Sequence, residues 1–171
     1  MALILLRHTV PDVAPGICYG QTDLDVSETF MDDADAAFAA LPDFNRIVTS
    51  PLRRCQKLAL YIGERRNLSI EPDTRLTEMD FGTWENRAWA DIPRAQIDDW
   101  ADDFQHARPH AGESVALFQA RVRAALEHWG APDLTTLIVT HAGVIRAALA
   151  IGDTAADFNA QIDFGEFVTI S

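Results

Sequence analysis

Two histidines are set apart by what precedes them: ALILLRH ends in His8 and LTTLIVTH ends in His141. Each closes a continuous apolar run of the length and character of a strand buried on both faces, and each has an arginine nearby in sequence. Ligands of parallel α/β sheets bind beyond the carboxyl ends of the strands. Both imidazoles would then stand on one edge and face one ligand. An imidazole on so rigid a post can act as a nucleophile or carry a proton. Arginine beside it offers a planar fork suited to phosphate or carboxylate. Arginine does the cationic work throughout, since Lys57 is the only lysine. Read singly, each histidine is merely the first wet residue of its strand. Two such ends, each with its arginine, favour a site.

Metal chemistry is the competing reading. His106 and His110 have i, i+4 spacing with acids nearby, but Pro109 between them breaks the ladder that would align a helical pair. There is no HExxH and no cysteine cluster, so neither a metal nor another cofactor is expected. Cys18 and Cys55 are too few for a disulfide framework and sit beside apolar residues, which reads as reduced and structural.

The elements that must position these residues alternate. After the first strand, PDVAPGICYGQTD is a loop, punctuated by Pro and Gly. Ser27 is placed as the cap of a helix whose Phe30, Ala34, Ala37, Phe38 and Leu41 face inward. RIVTS (46–50) is a second strand, and Ser50 with Pro51 opens a helix running to about Arg65. A short extended piece near Ser69 to Glu71 precedes a stretch rich in Trp and Asp (80–110), expected as helical pieces over one end of the sheet. Ser114 begins a helix that Gly130 closes. The strand ending in His141 leads into GVIRAALAIG, a helix expected to close at Gly152, and FVTIS is the final strand. This predicts a single α/β domain over 1–171, a three-layer αβα sandwich around a mostly parallel sheet.

The chain has 171 residues and a net charge of −12. That balance argues against a broad nucleic-acid or anionic-membrane surface, which needs clustered Lys and Arg. Residues 2–6 are too short for a signal segment and no apolar run approaches spanning length, which reads as a cytoplasmic protein. The expected partner is a small molecule. Nothing in the sequence sets an oligomeric state.

Taken in order, LLRHT, TSPLRRCQ, LTEMDFGTWE, AGES and VTHAGVIR resemble the motifs of the histidine phosphatase (phosphoglycerate mutase-like) superfamily, over residues 3 to about 149. The resemblance implies a phosphomonoesterase that needs no metal. It makes His8 the nucleophile, attacking as neutral imidazole with its other ring nitrogen held by a backbone carbonyl. Arg7 and Arg54 become the phosphate clamp, and Arg53 a solvated helix residue. His141 becomes a donor to the transferring phosphoryl oxygens, with Gly143 and the following helix N-terminus adding N–H groups. Glu78 becomes the acid that protonates the leaving alkoxide, crowded by an apolar wall and the substrate's charge into the protonated form an acid needs. Glu85 is left as a surface carboxylate. Gly20, Gln21 and Thr22 either contact the phosphate or leaving group, or are simple turn residues.

Within the superfamily, PGICYGQTDLDVS most resembles the α-ribazole phosphatase branch, which acts in assembling the nucleotide loop of cobalamin. Alternatives are a broad small-molecule phosphatase, a phosphoglycerate mutase, or an inactive module that binds phospho-ligands. The chain departs from the family pattern at Thr9 and Ala142, where glycines are usual. It also lacks the mutase-like Asn beyond the nucleophile.

Overall fold

A computed structural model describes residues 2–171. Four parallel strands, β1 (Ala2–Arg7), β2 (Arg46–Thr49), β3 (Ile70–Pro72) and β4 (Thr135–Thr140), and one antiparallel strand, β5 (Phe167–Ile170), form a single sheet in the order β3-β2-β4-β1-β5. Alternation along the strands divides the core in two. Ile4, Leu6, Ile47, Leu137 and Val139 pack against α1 (Phe30–Ala40) and α2 (Arg53–Arg66). Leu3, Leu5, Val48 and Ile138 pack against α4 (Val115–Trp129) and α5 (Ala142–Leu149). Strands buried on both faces need helices on both faces. The three-layer arrangement expected from the alternation is what forms. Among the described residues, no helix is long and apolar enough to cross a membrane.

Several boundaries differ from the sequence expectation, each for a local reason. α1 starts at Phe30, and Ser27 turns its hydroxyl to the Thr29 N–H instead of capping the helix. α2 starts at Arg53, because Ser50 is drawn toward His141 and its oxygen caps only the Leu52 N–H. Ser114 caps α4 as expected, accepting from the Leu117 N–H. α5 stops at Leu149 rather than Gly152, with Ala150 already extended. The Trp-rich stretch holds two short 3-10 turns (82–84 and 89–91) and one helix, α3 (Arg94–Asp102), which begins directly after Pro93.

Candidate active site

The sheet order puts the two histidines side by side. β1 and β4 are neighbours with Arg7 opposite Thr140, and the His8 N–H donates to the Thr140 carbonyl at 3.0 Å. Their rings meet edge to face, 5.3 Å between centroids.

His8 is almost fully buried, and its Nδ1 lies 2.7 Å from the Thr9 carbonyl. A carbonyl oxygen only accepts, so Nδ1 carries the proton and Nε2 keeps its lone pair. Burial, then the Arg54 charge, pushes the His8 pKa down to about 3, although the bond to Thr9 opposes the shift. The ring is therefore neutral at ordinary pH. Thr9 itself does not take a positive φ, so the residue replacing the usual glycine introduces no backbone strain. His141 is equally buried, and burial followed by Arg54 and His8 holds it well below the usual histidine range. Its Nε2 shares a hydrogen bond of 2.8 Å with the Ser50 hydroxyl.

Arg7 reaches the cavity from the end of β1, with Nη1 donating to the Ile162 carbonyl at 2.7 Å. Arg54, from the first turn of α2, is wholly buried and gives Nη1 to the Thr22 carbonyl and Nη2 to the Gly20 carbonyl. The Nε of each arginine is buried without a partner among the described residues. Buried donors of this kind cost free energy until an acceptor reaches them.

Glu78 enters from the loop between β3 and the Trp-rich stretch. Its Oε1 accepts from the Met79 N–H at 3.0 Å and its Oε2 from the Gly143 N–H at 2.9 Å. The N–H of Gly143, expected to face phosphate, is thus turned to a carboxylate. Arg121 braces the loop from α4, donating to the carbonyls of Arg75, Thr77 and Glu78 while paired with Glu113.

For Gly20, Gln21 and Thr22 the geometry fits the turn reading. Glu85 accepts from the N–H groups of Gly20 and Gln21, both at 2.7 Å, and from the Thr22 hydroxyl at 2.9 Å. The expectation that Glu85 is a mere surface carboxylate fails, because the folded loop gives it backbone donors that no sequence spacing reveals. Gly20 is needed there, since a Cβ would collide with the Met79 carbonyl. The His106 and His110 side chains do not form a pair. His106 is exposed beside Asp103, whereas His110 is buried against Trp84.

Arg7, His8 and Glu78 line one cavity of about 340 Å³. Much of the remaining wall is aromatic: Tyr19, Phe81, Trp89, Trp100, Phe104, Phe118 and Phe158. Arg146 joins them; its Nε donates to the Ala160 carbonyl, and no carboxylate lies within ion-pair distance among the described residues. Sequence reading missed Tyr19 and Arg146. Both stand within quoted motifs, GICYGQTD and VTHAGVIR, and that proximity was the one available signal.

Residues 3–161 match the histidine phosphatase superfamily (branch 1). Glucosyl-3-phosphoglycerate phosphatase of Mycobacterium tuberculosis is 36% identical over 165 residues, covering 86% of this chain and 73% of that protein. Adenosylcobalamin/alpha-ribazole phosphatase of Escherichia coli is 30% identical over 116 residues, covering 63% of this chain and 55% of that protein. In three dimensions, the alpha-ribazole phosphatase of Shigella flexneri superposes with a TM-score of 0.83 at 27% identity, covering 100% of this chain and 90% of that one.

Proposed function

The chain belongs to the histidine phosphatase superfamily, branch 1, and is a phosphoric monoester hydrolase; from that premise we propose that it works through a phosphohistidine on His8. The observation that carries this reading is the fixed tautomer of His8, with Nδ1–H on the Thr9 carbonyl and Nε2 unprotonated, in a cavity shared with Arg7 and Glu78. Nε2 attacks phosphorus in line, and the bond to the ester oxygen breaks. The departing alkoxide takes a proton from the Glu78 carboxyl. Arg7, Arg54 and His141 stabilise the charge on the equatorial oxygens, where preorganised donors have most effect. Water, giving a proton to the Glu78 carboxylate, then attacks the phosphohistidine and frees inorganic phosphate. No metal or cofactor takes part in this scheme.

For the leaving group, the aromatic wall favours a planar, weakly polar partner such as the nucleoside of α-ribazole 5′-phosphate. The GICYGQTD loop and the likeness to the Shigella flexneri enzyme support the same choice. A carboxylated leaving group, like that of glucosyl-3-phosphoglycerate, is the second reading. Arg146 in the cavity and the identity to the mycobacterial enzyme favour it.

Mixing with phosphorus-labelled p-nitrophenyl phosphate, quenched in alkaline SDS, tests the chemistry. The protein should take up an acid-labile phosphate on His8, and His8→Ala should take up none. Label on His141 with His8 bare would reverse the assignment. A turnover panel of α-ribazole phosphate, phosphoglycerates, phosphoserine and sugar phosphates decides the leaving group.

A further inference from the structure

The segment that follows the family match, from Ile162 onward, makes contacts with the phosphate end of the cavity that nothing in the shared motifs requires. Gly165, in a positive-φ turn, donates its N–H to the carbonyls of Arg7 and His8, both at 3.2 Å. The Arg7 N–H donates to the Glu166 carbonyl. The turn is thereby tied to the backbone of the two residues that open the site. From it the Ile162 carbonyl takes Nη1 of Arg7 at 2.7 Å. The Phe164 ring lies against the guanidinium, 3.7 Å from its central carbon to the ring centroid. The same ring stands 5.6 Å from the His8 imidazole, and it is still 38% exposed.

An arginine at the end of a strand has several free torsions and lowers the energy of an anion only if its plane is already set. Ile162 fixes one nitrogen, which leaves rotation about that bond. The Phe164 face removes it, because a guanidinium is attracted to the face of an aromatic ring and stacks flat on it. We propose that Phe164 is a positioning residue, holding the Arg7 guanidinium in the plane from which it meets the phosphate. This rests on the reading of Arg7 as a phosphate ligand. The ring also faces the His8 imidazole, but its face lies on Arg7, and the proposed effect passes through that group.

The test compares Phe164→Ala, Phe164→Leu and Phe164→Tyr with the intact chain, using orthovanadate and inorganic phosphate as competitive inhibitors of p-nitrophenyl phosphate turnover. Thermal melts verify that each variant is folded. Loss of the ring face should weaken both inhibitors roughly two- to thirtyfold, the range of cation–π contacts from exposed to desolvated. Phe164→Leu, which keeps bulk but has no face, should behave like Phe164→Ala, and Phe164→Tyr should restore binding. Wild-type inhibition in Phe164→Leu would overturn the proposal, because bulk alone would then suffice, and so would unchanged inhibition in folded Phe164→Ala. Arg7→Ala is the separate control. If it too leaves inhibition unchanged, the phosphate role of Arg7 has failed; if it weakens inhibition while Phe164→Ala does not, only the positioning role has failed.

Discussion

The carboxylate of Glu78 rests on the backbone of Gly143: Oε2 accepts the Gly143 N–H, and a Cβ at position 143 would run into Oε1. The colliding atom is the far end of a side chain, so Gly143→Ala should displace the carboxyl group and leave the fold in place. A misplacement of about 1 Å costs on the order of a hundredfold in rate. Turnover of an alkyl phosphate should fall by that amount with little change in the melting temperature. A large loss of thermal stability instead would show that the glycine serves helix α5.

Replacing Glu78 itself separates its proton from its position. An alkoxide leaving group needs protonation and a nitrophenolate does not. Glu78→Gln should therefore slow an alkyl phosphate roughly a hundred- to ten-thousandfold, and p-nitrophenyl phosphate far less while phosphorylation remains the observed step. Equal losses on both would assign Glu78 to phosphate placement or to the fold.

Glu85 offers a contrasting outcome. Its carboxylate gathers the donors of residues 20–22, whose carbonyls in turn receive Arg54. Glu85→Ala removes charge-assisted bonds, each typically worth about 1.5–3 kcal/mol. Urea unfolding should report a loss of about that size. Inhibition by inorganic phosphate should weaken as Arg54 loses its carbonyl partners. Unchanged inhibition in a destabilised variant would detach the loop from the anion site.

The buried histidines set a pH dependence with a definite sign. His8 binds its proton at about 3 in the folded chain and near 6.5 when unfolded, and His141 is shifted in the same direction. Between those values the unfolded state holds more protons. His8 therefore costs no stability above about pH 6.5, and its penalty grows as pH falls toward 3. The slope is at most about 1.4 kcal/mol per pH unit for each such histidine. Denaturant midpoints at pH 7, 6 and 5 should fall steadily, and His8→Gln should flatten the fall whatever its effect at pH 7. An unaltered slope in that variant would mean that His8 does not control the acid response.

What the sequence disclosed follows from how local each signal is. A run such as LILLRH contains both its strand and the residue that the strand delivers, so His8 and His141 were legible at the edge of a parallel sheet. The helices facing that sheet were legible from their apolar spacing. Some of their ends were not: Ser27 gives its oxygen to the Thr29 N–H two residues on, and Ser50 is shared with His141, a partner distant in sequence. Glu85, Arg121 and Phe164 escaped for the same reason. Each acts on backbone groups or side chains that only the folded loops bring near, while among 26 acids and 13 arginines no composition marks them out.

Ala2 pairs with Thr135, and Leu3 with both Thr136 and Ile170. β1 thus has to wait for β4 and β5, far along the chain, before either of its edges can be covered. Contacts so distant along the chain make for slow folding, because loop closure costs entropy before the contacts return it. Until then ALILLR is an unpaired apolar edge, the kind of segment that draws incomplete chains into aggregates. Phosphatase activity would consequently appear only once both flanks of β1 have docked, making turnover a sensitive readout of folding.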